Sequence, residues 1–217
     1  MSDYTDRIGD RLDHPELVPE SQRHLIADDV QRVRRILEWP VSGRVIDIGC
    51  SDGAITRRIA ALPGVKEVIG IDKANLDHPF DDGPNYAWCP WDVVHEPYPY
   101  IQQSRAPWRN GFNVVYCCEV FEHLSLHEAT LALRNICAVL KQGGDLIVTV
   151  PNRDCLSLYE ETNRARWRFP DHWSIWDYDS LSDFLLPHFD HVEFKSLYDH
   201  ERDDQSIWLL VRACGRL

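Results

Sequence analysis

The sequence lacks several features that would each define a class of protein. Its seven cysteines are odd in number and form no C-x-x-C pair, which argues against a disulfide framework and a zinc knuckle. No apolar run approaches the roughly 20 residues that a membrane span requires. The amino-terminal segment is polar and acidic, unlike a secretory signal peptide. We therefore expect a cytoplasmic protein with no membrane span.

Positive charge is also scarce. The chain carries 23 Lys and Arg against 35 Asp and Glu, a formal net charge of −12. This balance argues against nucleic acid as a partner, because a protein that binds nucleic acid needs a basic surface. A local basic groove is still compatible with this net charge. A chain of 217 residues suffices for one domain with a large core. We predict one domain over residues 41–217, preceded by a segment and helix over residues 1–40 that is a candidate lid.

Apolar runs typical of buried strands alternate along the chain with apolar residues at helical spacing. Such β-α-β alternation predicts a parallel, doubly wound α/β sheet, which here ends in a hairpin. Residues 151–176 show no clear period and are interpreted as an insertion over a site. The pattern predicts helices over residues 21–37, 54–62, 126–140 and 178–186, and strands over 44–49, 65–72, 86–88, 112–118, 145–150, 191–198 and 206–213.

The segment Val45-Ile-Asp-Ile-Gly-Cys-Ser-Asp-Gly predicts a ligand-binding turn after the first strand. Its glycines, Gly49 and Gly53, would allow a sharp turn and close approach to a ligand. Asp72 follows 23 residues beyond Gly49 at the tip of the second strand, where a carboxylate can accept ribose hydroxyls. The dinucleotide pattern G-x-G-x-x-G is absent, since Ser51 replaces a glycine. Asp47 favours a cationic ligand such as S-adenosylmethionine, so a dinucleotide oxidoreductase fits poorly.

These residues resemble motif I of the class I S-adenosylmethionine-dependent methyltransferases. Three later segments are similar to further motifs in the family's order, namely Val68–Asp72, Cys89–Asp92 and Phe112–Glu119. The resemblance extends over about residues 40–213. It implies a Rossmann-like fold with a mostly parallel seven-stranded sheet whose last strand is antiparallel, and S-adenosyl-L-methionine as the cofactor.

The resemblance also implies roles for single residues. Gly49 would let the backbone approach the methionine moiety, and Asp47 would orient its ammonium group. Asp72 would hold the ribose, while Asp92 and Trp91 would frame the adenine. The residues expected to bind the cofactor are Asp47, Gly49, Cys50, Ser51, Gly53, Asp72, Trp91, Asp92 and Glu119.

A cluster of ligand-type residues follows the fourth strand. Glu119, Glu122 and His123 would share one face of a helical turn beginning at Glu119. This E-x-x-E-H pattern resembles ubiquinone-pathway O-methyltransferases and small-RNA 3′-terminal 2′-O-methyltransferases, in which it can hold a divalent ion. His172, beside Asp171, could supply a further ligand, so these four residues form a candidate Mg or Mn site. Similar patterns also occur without a metal, and then His123 or His172 is a candidate general base.

We predict in-line transfer of a methyl group from S-adenosylmethionine to a hydroxyl of a small-molecule acceptor. The acidic chain and the E-x-x-E-H cluster favour this reaction, with N- or C-methylation left open. One alternative is a metal-dependent RNA 3′-terminal 2′-O-methyltransferase. Another is a non-catalytic, methyltransferase-like binding subunit, against which the glycines and Asp72 argue. Fold class alone does not identify the acceptor.

Overall fold

The computed structural model describes residues 23–73, 82–97, 111–155, 172–195, 197 and 208–217. Its strands are β1 (Gly43–Ile48), β2 (Val65–Asp72), β3 (Tyr86–Pro90), β4 (Phe112–Cys118), β5 (Leu140–Pro151), β6 (Phe189–Lys195) and β7 (Trp208–Arg216). Within the described residues they form one seven-stranded sheet in the order β3-β2-β1-β4-β5-β7-β6. The strands β1 to β5 pair in parallel, whereas β7 is antiparallel to both of its neighbours. The expected doubly wound fold and antiparallel last strand are confirmed.

Helices cover both faces of the sheet. They are α1 (Arg23–Leu37), α2 (Ala54–Ala60), α3 (Leu126–Val139) and α4 (Tyr178–Leu185), with 3-10 turns at Phe121–His123 and Arg153–Cys155. Ile36 of α1 and Ile59 of α2 belong to one buried cluster, and Ile136 of α3 and Leu181 of α4 belong to the other. The molecule therefore has three layers, with α1 and α2 on one side of the sheet and α3 and α4 on the other.

The central strand β1 is apolar on both faces because helices cover both. Val45 packs into the cluster of α1 and α2, and its neighbour Ile46 packs into the cluster of α3 and α4. Ile48 is in register with Ile71 of β2 and with Cys117 of β4. The loops that follow these strands consequently begin at the same edge of the sheet, where doubly wound folds bind ligands.

The fifth strand begins earlier than predicted. The sequence predicts this strand over residues 145–150, but β5 extends from Leu140 to Pro151 and includes Gly143 and Gly144, while α3 ends at Val139, within one residue of its predicted end. Leu140 already pairs with Phe112 of β4, and the register shifts before Val114 pairs with Asp145. The glycines lie in this irregularity, and Gly143 adopts a φ of 72° that suits glycine.

The two ends of the predicted insertion lie side by side. Asn152 and Trp176 form a parallel β-bridge, and the amide of Arg153 donates to the carbonyl of Trp176 at 2.7 Å. Residues 156–171, which carry most of this insertion, lie outside the described residues, as do residues 1–22 of the predicted amino-terminal segment. Val33 of α1 is buried in the core, so this helix packs against the sheet.

None of the described helices is both long enough and apolar enough to cross a bilayer.

Candidate active site

The loop after β1 is tied to the end of β2 by its backbone. The amides of Gly49 and Cys50 both donate to the carbonyl of Ile71, at 2.8 and 3.0 Å. Gly49 has a φ of 72°, and a Cβ atom there would approach Cγ2 of Val120 to 2.5 Å. Gly53 has a φ of 74° and begins α2. The predicted glycine turn is therefore present, and at Gly49 a side chain would strike the adjoining loop.

Ser51 adopts the left-handed conformation that a glycine would adopt without strain. Its φ is 46°, in a region that costs most other residues about 1–2 kcal/mol. Its amide donates to Oδ2 of Asp72 at 3.1 Å. Asp72 thus fixes the position of the loop through this hydrogen bond. It also lies at the end of β2, the position from which the sequence predicts a contact with the ribose.

The carboxylate of Asp47 points into the protein. It is only 2% exposed and accepts a hydrogen bond of 2.6 Å from the hydroxyl of Thr56 in α2. Burial raises the pKa of Asp47 to about 7, although the Thr56 hydrogen bond opposes the shift. Asp47 therefore connects β1 to α2, the two elements that the glycine turn joins.

A cavity of about 230 Å³ opens at the carboxyl ends of β1, β2 and β4. Of the predicted cofactor residues, Gly49, Asp72, Trp91, Asp92 and Glu119 line it. The remaining predicted residues, namely Asp47, Cys50, Ser51 and Gly53, are not among the described residues that line it. Its wall also contains Ile48, Ile71, Lys73, Val93, Val94, Val120, His123 and Leu124.

Several of these wall residues were not predicted from the sequence. Val93 and Val94 follow Asp92 directly, and a cofactor framed by Asp92 would be expected to touch its neighbours. Lys73 follows Asp72 in the same way. The adjacency was available in the sequence, but the direction in which each side chain points was not.

Asp92 organises the turn beyond β3 that forms one side of the cavity. Its Oδ1 accepts from the amides of Val94 and His95, at 2.9 and 3.2 Å, and its Oδ2 lies 3.0 Å from Nδ1 of His95. Partial burial raises the pKa of Asp92, but these hydrogen bonds outweigh burial and the pKa is lowered overall. The neighbouring indole of Trp91 is buried and donates to the carbonyl of Glu96 at 3.1 Å.

Glu119 does not begin a helical turn, which corrects the sequence prediction. It has a φ of 58°, and the 3-10 turn starts only at Phe121. The amide of Glu119 donates to the Thr149 carbonyl at 2.9 Å, and Oε1 accepts from the Thr149 hydroxyl at 2.8 Å. These bonds to β5 hold Glu119 in a left-handed conformation that ends β4. Burial raises its pKa to about 7, while nearby Arg32 opposes this shift.

Glu122, His123 and His172 form a compact group beside the cavity. One ligand-type atom from each lies within 4.8 Å of the others. Glu122 is 2% exposed, and its Oε2 has no hydrogen-bond partner among the described residues. Burial and the neighbouring Glu119 carboxylate raise its pKa well above the ordinary value.

The backbone holds His172 close to this group. The amides of Trp173 and Ser174 both donate to the carbonyl of Glu122, at 2.7 and 3.1 Å. The rings of His123 and His172 meet edge to face, with centroids 4.8 Å apart. Of the four residues predicted to bind a metal, three therefore come together, whereas Glu119 is engaged by Thr149. Asp171, the predicted partner of His172, lies outside the described residues.

The fold is that of a Rossmann-like domain, and its cavity lies at the carboxyl ends of the strands, where such folds bind their ligands. The chain belongs to the methyltransferase-domain family, because the family model described as "Methyltransferase domain" matches residues 20–194. The chain therefore carries the domain of a class I S-adenosylmethionine-dependent methyltransferase.

A relative named as a methyltransferase agrees with this family assignment. The chain is 29% identical over 126 residues to the human mitochondrial ubiquinone biosynthesis O-methyltransferase, covering 52% of this chain and 30% of that protein. The match thus spans less than one third of the relative's length.

Solved structures are similar in fold. One is a methyltransferase in complex with the Trm112 methyltransferase activator of Haloferax volcanii, with a TM-score of 0.67, 13% identity and coverage of 98% of this chain and 99% of that one. Another is the small RNA methyltransferase HEN1, with a TM-score of 0.62, 15% identity and coverage of 85% and 25%. At such identities the likeness concerns the fold alone.

Proposed function

We propose that this methyltransferase transfers the methyl group of S-adenosylmethionine to a hydroxyl group of a small molecule. The observation that carries the proposal is the place of His123. It lies on the cavity wall with Asp72 and Asp92, and it also meets His172 and Glu122. A proton acceptor therefore adjoins the cavity expected to hold the methyl donor. The O-methyltransferase named among the relatives supports the same type of acceptor atom.

The reaction we propose is a direct displacement. A lone pair of the acceptor oxygen forms the new bond to the methyl carbon as the carbon–sulfur bond breaks, and S-adenosylhomocysteine leaves. The hydroxyl proton passes to the imidazole of His123 or His172. The other residues bind and orient, since holding donor and acceptor in line supplies much of the rate enhancement.

Four of the wall residues bind and orient the methyl donor. Gly49 lets the loop approach the methionine moiety, and Asp72 accepts from the ribose hydroxyls. Asp92, whose lowered pKa keeps it ionised at neutral pH, accepts from the adenine amino group. Glu119 also lines the cavity and would contact the donor there.

The donor set beside the cavity also fits a divalent cation. A buried carboxylate oxygen that lacks a hydrogen-bond partner within the described part of the chain lies near two imidazoles. Glu122, His123 and His172 would hold the ion, and this mixed set suits Mn better than Mg. A bound cation would lower the pKa of an acceptor hydroxyl. The histidines would then be ligands, and they would no longer serve as bases.

The test uses tritiated S-adenosylmethionine with a panel of small alcohols, phenols and catechols. We expect methyl transfer to at least one hydroxyl acceptor, and loss of turnover in His123→Ala or His172→Ala with unchanged affinity for S-adenosylhomocysteine. His127→Ala is the matched control, because His127 is exposed on α3. Full turnover in both active-site variants would refute the assignment of the base.

A second candidate, methylation of the 2′-hydroxyl at RNA 3′ ends, is favoured by the same three-residue group together with the HEN1-like fold. The net charge of −12 opposes it. Calorimetry with Mn on metal-stripped protein, with and without Glu122→Ala, tests the ion. Activity on a short RNA that requires Mn and falls steeply with salt would replace our first proposal by this one.

A further inference from the structure

Helix α1 places an arginine at the carboxyl end of the sheet. The side chain of Arg32 is 3% exposed, and its guanidinium lies 4.8 Å from the ring centroid of Trp208 in β7. Its Nη2 is 3.5 Å from Oδ1 of Asp29 within the same helix. Burying a guanidinium is costly unless it is paired, so these contacts indicate a specific arrangement.

The same guanidinium reaches the wall of the cavity through two contacts. Its Nη1 donates to the hydroxyl of Thr149 at 3.2 Å and lies 3.7 Å from Oε1 of Glu119. The Thr149 hydroxyl in turn donates to that Oε1 at 2.8 Å. Arg32, Thr149 and Glu119 therefore form a closed triangle of polar contacts, in which each group fixes the other two.

Glu119 depends on such support more than an ordinary wall residue would. Its left-handed backbone, with a φ of 58°, is unfavourable for a residue with a side chain. A strained residue persists only where its surroundings determine it fully, and such residues concentrate at functional sites. Arg32 itself is not among the described residues that line the cavity, so any effect it has on a ligand passes through others.

We propose that Arg32 is a positioning residue for the methyl donor. It holds the Glu119 carboxylate, directly and through Thr149, at the place where the cofactor meets the cavity wall. Helix α1 thereby becomes part of the cofactor site without touching the cofactor. This inference rests on the proposed contact between Glu119 and the cofactor, which the test examines separately.

A purely structural role would be the attachment of α1 to the sheet, and the chain offers a matched control for it. Arg35 lies one turn further along α1, where its Nε donates to the carbonyl of Leu197 at 3.3 Å and its Nη1 to Glu38 at 3.1 Å. Arg35 thus also attaches the helix to the rest of the molecule, and these two hydrogen bonds involve neither Glu119 nor Thr149.

The experiment measures the affinity for S-adenosylhomocysteine by calorimetry and the melting temperature of each variant. We expect Arg32→Met to weaken binding about tenfold or more, since hydrogen bonds from a charged donor are stronger than neutral ones. Arg32→Lys should recover part of the lost affinity, because lysine keeps the positive charge but lacks the planar guanidinium group that donates several hydrogen bonds. Arg35→Met should lower the melting temperature and leave the affinity unchanged.

Three further variants separate the possible failures. Thr149→Val removes the linking hydroxyl and should weaken binding even if Arg32→Met does not fold. Glu119→Gln should weaken binding, and Arg32→Met should add nothing to it in the double variant. Unchanged affinity in Glu119→Gln would refute the proposed cofactor contact. A loss in Glu119→Gln, with Arg32→Met and Thr149→Val both binding normally or with an additive double variant, would refute the role of Arg32 alone.

Discussion

Two glycines with the same backbone conformation stand in different surroundings. Gly49 in the cofactor loop and Gly143 in β5 both have a φ of 72°. A Cβ atom at Gly49 would meet Val120 at 2.5 Å, whereas one at Gly143 would meet nothing within 4 Å. The pair therefore separates the cost of the left-handed backbone from the cost of a close approach.

We predict that Gly143→Ala lowers the free energy of unfolding by about 1–2 kcal/mol, the ordinary cost of the left-handed region. Gly49→Ala should cost about 1–3 kcal/mol more through overpacking against Val120, and it should weaken binding of S-adenosylhomocysteine. Chemical denaturation and calorimetry measure the two effects. Equal losses of stability would show that Val120 moves aside without cost.

Asp47 couples stability to pH because its pKa differs between the folded and unfolded states. The pKa is about 7 in the folded protein against an ordinary 3.8. Between these values the folded state binds the extra proton, so stability falls as the pH rises. The loss is complete once the pH exceeds the folded pKa, and it is absent below the ordinary one.

Asp47→Asn should remove this contribution while retaining an oxygen acceptor for Thr56. We expect the stability of the variant relative to the wild type to rise with pH, by up to about 1.4 kcal/mol per unit between pH 4 and 7. Urea denaturation at pH 5 and pH 8 measures the difference. A difference independent of pH would mean that the buried carboxyl keeps an ordinary pKa.

At the scale of elements, Asp177 stabilises the start of α4, which follows His172 along the chain. Asp177 is buried, and its Oδ1 accepts from the amide of Ser180 at 2.8 Å as a helix cap. Its Oδ2 pairs with Arg153, whose side chain is 52% exposed. The cap and the ion pair are separable, because an amide oxygen can cap a helix without carrying charge.

We predict that Asp177→Ala lowers the free energy of unfolding by about 1–2 kcal/mol through loss of the cap. Asp177→Asn should cost under about 1 kcal/mol, because an exposed ion partner contributes little. Thermal denaturation of both variants measures this order. If Asn were as damaging as Ala, the ion pair with Arg153 would be the dominant contact.

Most elements could be predicted because their signals are local. The runs at β1, β2 and β4 are apolar on both faces. Gly49 directly follows β1, and Asp72 is the last residue of β2. The start of β5 could not be predicted, since Gly143 and Gly144 are typical of a turn and the pairing of Leu140 with Phe112 is a long-range contact. Periodicity also does not reveal that Glu119 turns left-handed, because its partner Thr149 lies 30 residues further on.

At the scale of the molecule, the part of the site that escaped prediction is the part built from distant segments. The cofactor loop and strand tips follow one another within short motifs, and family resemblance assigned them. Arg32 and Thr149 are 117 residues apart, and nothing in the helical spacing of α1 marks one arginine of several as buried. Such a contact becomes visible only when the sheet order brings α1 over β5 and β7.

Ligand binding should stabilise the whole domain, because the cavity joins β1, β2 and β4. S-adenosylhomocysteine at 100 times its dissociation constant should add about 2.7 kcal/mol, which raises the melting temperature by roughly 5–10 °C. The shift should vanish in Asp72→Ala and persist in Asp183→Ala, an exposed acid on α4. ATP should give no shift, because its negatively charged phosphates would enter a cavity that is lined by the carboxyl groups of Asp72, Asp92 and Glu119. An equal shift with ATP would contradict the proposed ligand.

The position of β7 determines when this enzyme can become active during its synthesis. β7 is the last of the described strands along the chain, yet it lies between β5 and β6, and its Trp208 packs against Arg32. A ribosome that has produced only β1 to β5 has supplied all the described residues that line the cavity. The guanidinium of Arg32 still lacks the ring of Trp208, so the arrangement that fixes Glu119 would be completed only when translation passes residue 208.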